Sequence, residues 1–370
     1  MMKYVFGVLL CSIFLVSGCG VVEIESTSEE HVTSTDNIIE EVTRQKPEKK
    51  EAKGIYLTAY SAGSVNKVDK MIDLIKKTEL NTIVIDIKDY SGLILYDSDV
   101  KEVNELQVED NRLGDVPALI EKLHKEDIYV IARQTVFQDP ALASKKPEWA
   151  ITHVNGGLWH DYNNLTWVDP TRKEVWEYNV KIAKEAIALG FDEINFDYVR
   201  YPSDGLTRLA VYHDNVTHKN DTMRDFFEYI SKELEEEPAW ISVDLFGFVM
   251  ERFDGINIGQ RLVDVVDTID YVSPMMYPSH YPVGHLGFQN PALYPAAVIE
   301  NGMKSGAPYF EGKKAEARPW IQAFHIGARY DGEKIRAQID NVEKYTDGGW
   351  LLWNAANNYS TAGLTLTEES

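Results

Sequence analysis

Gly190-Phe191-Asp192-Glu193-Ile194-Asn195-Phe196-Asp197-Tyr198-Val199-Arg200-Tyr201-Pro202 is the stretch on which the architecture turns. Its 191–197 portion reads as a strand. Side chains alternate along a strand, so Asn195 and Asp197 share a face, joined by Glu193 if the alternation reaches that far. Three polar groups on the inward face of a central strand are expensive to bury without partners, so that face must be wet, networked or catalytic. The residues before it read as a helix. Asp169-Pro170 supplies a cap and a proline suited to a first turn. Val175, Val180, Ala183 and Ile187 form an apolar face, and Gly190 ends it.

The same unit repeats on either side. Short apolar, β-branched runs occur at 54–60, 81–87, 128–133, 191–197, 240–246, 269–276, 320–324 and 349–354. Most are unbroken, which suits parallel strands covered on both faces. Ser64 precedes a helix whose apolar face is Val68, Met71, Ile72 and Ile75. Further helices are predicted over 116–125, 223–236, 258–266, 292–304 and 334–345. Eight strands with intervening helices over roughly 300 residues predict a (β/α)8 TIM barrel rather than a doubly wound sheet. An eighth helix has little to build on. Asn357, Asn358, Gly363 and the Thr-rich end are poor helix formers, so it is expected to be short or absent. Two βα connections, 134–168 and 278–290, are long, and long loops of this kind build the active-site face of such a barrel.

The first 18 residues read as a lipoprotein signal peptide. Lys3 precedes an apolar run over 4–16 that is too short to span a bilayer as a stable helix. Val16-Ser17-Gly18-Cys19 then resembles the lipobox of bacterial lipoproteins. That resemblance implies a lipid anchor on Cys19 and a location at the cell membrane, on its extracytoplasmic face. Residues 19–52, rich in Ser, Thr and Glu, are expected to form a disordered tether. The barrel domain is expected over 53–358, and 359–370 as a C-terminal tail. The two cysteines are Cys11 and Cys19. Loss of one with the signal peptide and acylation of the other leave the domain neither a disulfide framework nor a thiol nucleophile. A formal net charge of −22 argues against a nucleic-acid partner. It also argues against holding an anionic polymer through overall charge, which leaves only a local basic groove for that purpose.

Function on this fold gathers where strands end. Asp197 closes the fourth strand, and Asp244 lies near the same end of the fifth. Two carboxylates from neighbouring strands are what glycosidic cleavage requires: one protonates the leaving oxygen, and the other attacks carbon or activates water. Lys88 and Asp89 after the second strand, Arg133 on the third, and Asn195, Tyr277, Gln322 and Trp353 are candidate substrate-binding residues, each with a structural role as the alternative. Asp86 is expected to share a face with Lys88. Trp353 offers a flat apolar surface suited to a pyranose ring, or plugs the barrel end. Trp149, Trp159, Tyr162 and Trp167 in the first long loop suit either carbohydrate binding or packing of the loop on itself. His153, His160, His213, His218, His280, His285 and His325 form no tight ligand motif, no Gly-rich phosphate loop follows a strand, and no GxSxG elbow is present. No metal or cofactor is therefore expected, and the partner is expected to be a polysaccharide. A barrel that binds glycans without cleaving them is the competing reading.

Several motifs in order resemble one family. KGIYLTAY at the first strand, VIDIKDYSG at the second, IARQTVFQDP at the third, GFDEINFDYVRYP at the fourth and SPMMYPSHY at the sixth are similar to the bacterial putative glycosyl hydrolase domain family. The likeness spans about 53–358. It implies a barrel, with Asp197 as a catalytic carboxylate and Asp244 as its partner. A more distant resemblance is to family 18 chitinases. Asp192, Asn195 and Asp197 fall on the three aspartates of their strand-four run, Tyr277 on a strand-six tyrosine and Trp353 on a terminal tryptophan. Their acid glutamate falls on Val199, so an acid must come from elsewhere.

Overall fold

The computed structural model describes residues 44–214 and 218–367. The signal peptide, Cys19 and most of the proposed tether lie outside them. Among the described residues, eight parallel strands close on themselves: β1 (Ala52–Leu57), β2 (Thr82–Lys88), β3 (Tyr129–Thr135), β4 (Glu193–Asp197), β5 (Trp240–Phe246), β6 (Tyr271–Met276), β7 (Trp320–Gln322) and β8 (Gly349–Trp353). Each pairs with its neighbours in chain order, and β8 returns against β1 with Ala52 opposite Gly349. This is a (β/α)8 TIM barrel. The seventh stave is broken: Glu316–Ala317 pairs with β6, and after Arg318-Pro319 the chain resumes as β7.

Helices α1 (Val65–Lys76), α2 (Val116–His124), α3 (Lys173–Leu189), α4 (Lys219–Glu233), α5 (Pro295–Gly306) and α6 (Gly332–Val342) cover the outside. Their apolar faces and the outward strand residues form one continuous core, with Ile83, Val130, Ile194 and Val243 inaccessible to solvent. Gly190 ends α3 in a left-handed conformation, φ 116°, which glycine adopts without strain.

Two predicted helix features are corrected. Over 258–266 the chain forms turns and a short 3-10 segment, Leu262–Asp264, instead of an α-helix. Gly259 has positive φ at the start of that span, just after Gly255, Ile256 and Asn257 with positive φ, a backbone path on which a right-handed helix cannot begin. The Asp169-Pro170 pair does not cap α3, which starts at Lys173. The Asp169 carboxylate instead accepts from the Thr171 backbone N–H and hydroxyl and from the His213 N–H, tying two active-face loops together.

The chain on either side of 53–358 also contacts the barrel. Residues 44–51 pack against the N-terminal end of the barrel: Arg44 donates to the carbonyls of Ile187 and Phe191, Trp240 donates to the Pro47 carbonyl, and Arg318 to the Lys50 carbonyl. At the other terminus no helix follows β8 among the described residues. Asn357 and Tyr359 donate to the Tyr56 carbonyl, Leu364 is buried, and Leu366 bridges to Thr78. The tail thus occupies the place an eighth helix would take.

Inside the barrel the side chains of Tyr56, Val84, Ile131, Trp320 and Leu351 fill the lumen. Every second residue of β4 points into it, and this positions the site.

Candidate active site

The inward residues of β4 stack from one end of the barrel to the other. Glu193 lies nearest the N-terminal end, where it pairs with Arg318 at 2.7 Å and accepts from the Tyr129 hydroxyl at 3.0 Å. Asn195 is in the middle and Asp197 at the C-terminal end. Asp192, on the opposite parity, faces outward to Arg44 and His124. It therefore takes no part in the chitinase-like run. Val199 is fully buried.

At the C-terminal end one guanidinium collects three carboxylates. Arg133, from β3, pairs with Asp86 at 2.6 Å and with Asp197, and its Nε lies 3.6 Å from Asp244 Oδ2. Tyr56 donates to the other oxygen of Asp86 at 2.5 Å. Asp244 Oδ1 accepts from Trp320 Nε1 at 2.8 Å and Asn195 Nδ2 at 2.9 Å, so its Oδ2 is the oxygen left for other chemistry. Arg133 Nε and Asn195 Oδ1 are buried without hydrogen-bond partners among the described residues. Orphaned buried polar atoms are costly, and here they sit among the clustered carboxylates.

Burial pushes the Asp244 carboxyl well above the usual carboxylate range, and the neighbouring Asp197 charge adds to it. Burial raises Asp86 as well. For Arg133, burial alone would lower the pKa, but Asp197 and Asp86 hold it well above its ordinary value. Burial, then Asp244 and Asp197, raise Tyr277, which keeps its hydroxyl proton.

These groups open into a pocket of about 200 Å³ lined by Arg133, Asp197, Tyr198, Arg200, Asp244, Phe246, Met275, Tyr277 and Trp353. Trp353 stacks on Tyr56, centroids 4.0 Å apart and planes 20° apart, and meets Trp320 edge-on. Directly after Asp197, Tyr198 has φ 54°, an uncommon conformation for a bulky residue, and its N–H donates to Asp197 Oδ1. Strained backbone of this kind clusters at functional sites.

Of the residues expected at the site, Asp197, Asp244, Arg133, Tyr277 and Trp353 converge on the pocket, and Asn195 lies beneath it. Three do not reach it. Lys88 is sealed outside the lumen, paired with Asp139 at 2.7 Å and donating to the Thr135 carbonyl and Asn179. A register shift between Asp86 and Lys88 breaks the alternation that would have placed both on one face. Asp89 accepts from the Ser91 N–H and hydroxyl and shapes a turn. Gln322 uses its amide on the Ser279 N–H and on the carbonyls of Phe324 and Ile326, bracing loops. In the first long loop, Trp159 and Trp167 are buried and Tyr162 is exposed.

The comparisons with known proteins fit this geometry. The chain belongs to the family described as "Putative glycosyl hydrolase domain". That family's model matches residues 54–359. Among solved structures, the glycoside hydrolase domain of PgaB (BpsB) from Bordetella bronchiseptica superposes with a TM-score of 0.59 at 12% identity, covering 82% of this chain and 94% of that one. An α-galactosidase from Thermus thermophilus gives 0.53 at 12%, covering 84% of this chain and 62% of the other. A GH20 exo-β-N-acetylglucosaminidase from Vibrio harveyi gives 0.52 at 13%, covering 82% and 50%. These distant similarities show the shared barrel. No curated protein matches the chain.

For this glycosyl hydrolase family member, sequence reasoning passed over two parts of the site. Tyr56 sits in an apolar run and reads as core. Arg200 lies past the strand end, where alternation no longer assigns a direction.

Proposed function

We propose that this barrel hydrolyses glycosidic bonds of a polysaccharide, with Asp244 as general acid and Asp197 as nucleophile or base. One observation carries the reading: a single guanidinium, Arg133, holds both carboxylates at one pocket. Because each touches a nitrogen of the same rigid group, their oxygens lie within about 9.5 Å, the upper end of the separation at which two carboxylates share acid and base work. The Asp244 proton belongs on Oδ2, since Oδ1 already accepts two N–H groups. From there it passes to the glycosidic oxygen as the C–O bond breaks, while Asp197 attacks the anomeric carbon or takes a proton from water. Arg133 spreads the charge that Asp197 and Asp244 exchange. Tyr277 supplies a hydroxyl donor to the sugar, and Trp353 an apolar surface for its C–H face.

The same reading acylates Cys19 and anchors the protein to the extracytoplasmic face of the cell membrane. The lipobox-like sequence and the thiol-free domain support it.

The test is a panel of neutral, amino-bearing and acidic polysaccharides assayed for new reducing ends with the wild type and Asp197→Asn. Release by the wild type and a loss of about 10²–10⁴-fold in the variant are expected. Full activity in Asp197→Asn would overturn the assignment. Binding without release by the wild type would make the barrel a glycan-binding module.

A further inference from the structure

Among the described residues, buried cations pair with carboxylates, with one exception at the pocket wall. Arg318 pairs with Glu193, Lys88 with Asp139, and Arg133 with Asp86 and Asp197. Arg200 is only 8% exposed, yet no carboxylate among the described residues lies within ion-pair distance of it. Its Nη1 donates to the Tyr201 carbonyl at 3.1 Å and to Ser203 Oγ at 3.2 Å, both neutral. Three aromatic rings fix its position: Phe246 at 4.7 Å, Trp167 at 4.9 Å and Tyr198 at 5.2 Å from the guanidinium carbon. Burial lowers its pKa, but an arginine side chain does not deprotonate in a protein. Asp197, Asp204 and Asp161 act on it through space without touching it, so the fold retains a desolvated positive charge with no carboxylate in contact, in the same pocket as Asp197 and Asp244.

We propose that Arg200 is an anion subsite that binds a carboxylate carried by the substrate sugar, so that the polymer cleaved is a uronic-acid-containing polysaccharide. This deepens the glycosidase reading and rests on it. A guanidinium presents a rigid, planar set of N–H donors that matches a planar carboxylate in two parallel hydrogen bonds. Trp167 and Phe246 pack against it, at 4.9 and 4.7 Å from its carbon. Recognition must be local, because a net charge of −22 repels acidic polymers at long range. Added salt screens that long-range repulsion far more than it screens a buried contact. Binding of an acidic oligosaccharide should therefore strengthen, not weaken, from low to moderate ionic strength.

The test is calorimetric titration of the purified full chain with oligogalacturonate, oligomannuronate and a hyaluronan oligosaccharide. Each is paired with its carboxyl-reduced neutral form and with a sulfated oligosaccharide. At least one acidic form is expected to bind at least about tenfold tighter than its neutral partner. Arg200→Met should abolish that preference, and Arg200→Lys, a point charge without the fork, should keep part of it. The wild-type comparison needs no variant, so the test survives a variant that fails to fold. Equal binding of acidic and neutral forms, no binding of any uronate, tighter binding of the sulfated probe, or a preference that survives Arg200→Met would each overturn the proposal. Acid-selective binding without reducing-end release would keep this subsite and sink the glycosidase reading. Release from neutral chains alone would do the reverse.

Discussion

Glu193 and Asp197 stand four residues apart on β4, face the same lumen and pair with arginines, yet their surroundings differ in kind. At the N-terminal end one carboxylate meets one guanidinium. Arg318 Nη1 reaches both Glu193 oxygens, Nε donates to the Gly348 carbonyl, and Nη2 to the Lys50 carbonyl. Every side is closed, and residues 44–51 cover it. At the C-terminal end three carboxylates share one guanidinium, two polar atoms lack partners, and a pocket opens alongside. Balanced, saturated charge serves structure. Charge left in excess, with unsatisfied atoms and access, is kept for something that binds there.

The largest expected effect falls at the open end. Asp244→Asn should lower kcat by about 10²–10⁴-fold, and less on substrates whose leaving group needs no proton. Because burial and Asp197 raise Asp244, its acid form persists to pH values well above the usual carboxylate range. Wild-type activity should then fall on an alkaline limb that Asp244→Asn lacks. A shared limb would point to another acid.

At the closed end the effect should be on stability alone. Arg318→Met leaves Glu193 buried and unpaired, and should cost about 3–5 kcal/mol in denaturant unfolding with kcat per folded molecule unchanged. A changed kcat at equal folding would erase the contrast between the ends. Lys88→Met, which strands Asp139, belongs to the same class. It should lower the melting temperature and leave KM alone, whereas a substrate-binding lysine would raise KM.

The smallest effect concerns Glu251, outside the pocket. Burial pushes its carboxyl up to about 7. Its native pKa exceeds its unfolded one, so the folded state favours the proton. The stability this group contributes should be fully present below about pH 4.5 and be lost as pH rises through 7. Glu251→Gln should remove that part of the slope. Parallel stability curves for wild type and variant would contradict the assignment.

Much of this was legible because parallel strands buried on both faces leave a strong apolar signal. The predicted 240–246 strand coincides with β5, and the helix ending at Gly190 was marked by its own glycine. Period-two reasoning also placed Asn195 and Asp197 on one face and carried Glu193 with them. It failed where the backbone departs from regularity. The bulge after Asp86 turned Lys88 outward, and positive φ at Gly259 broke the start of a helix that the apolar spacing allowed. The turn at Tyr198 hid Arg200. Gln322 could not be read, because its partners are backbone groups of loops distant in sequence.

The most direct test is kcat/KM for Asp197→Asn, Asp244→Asn and the double variant on one cleaved polysaccharide. Groups that act as a unit are strongly non-additive. The double variant should therefore lose little more than the worse single one. Losses that multiply, or a single variant that keeps wild-type activity, would contradict a shared acid and base around Arg133.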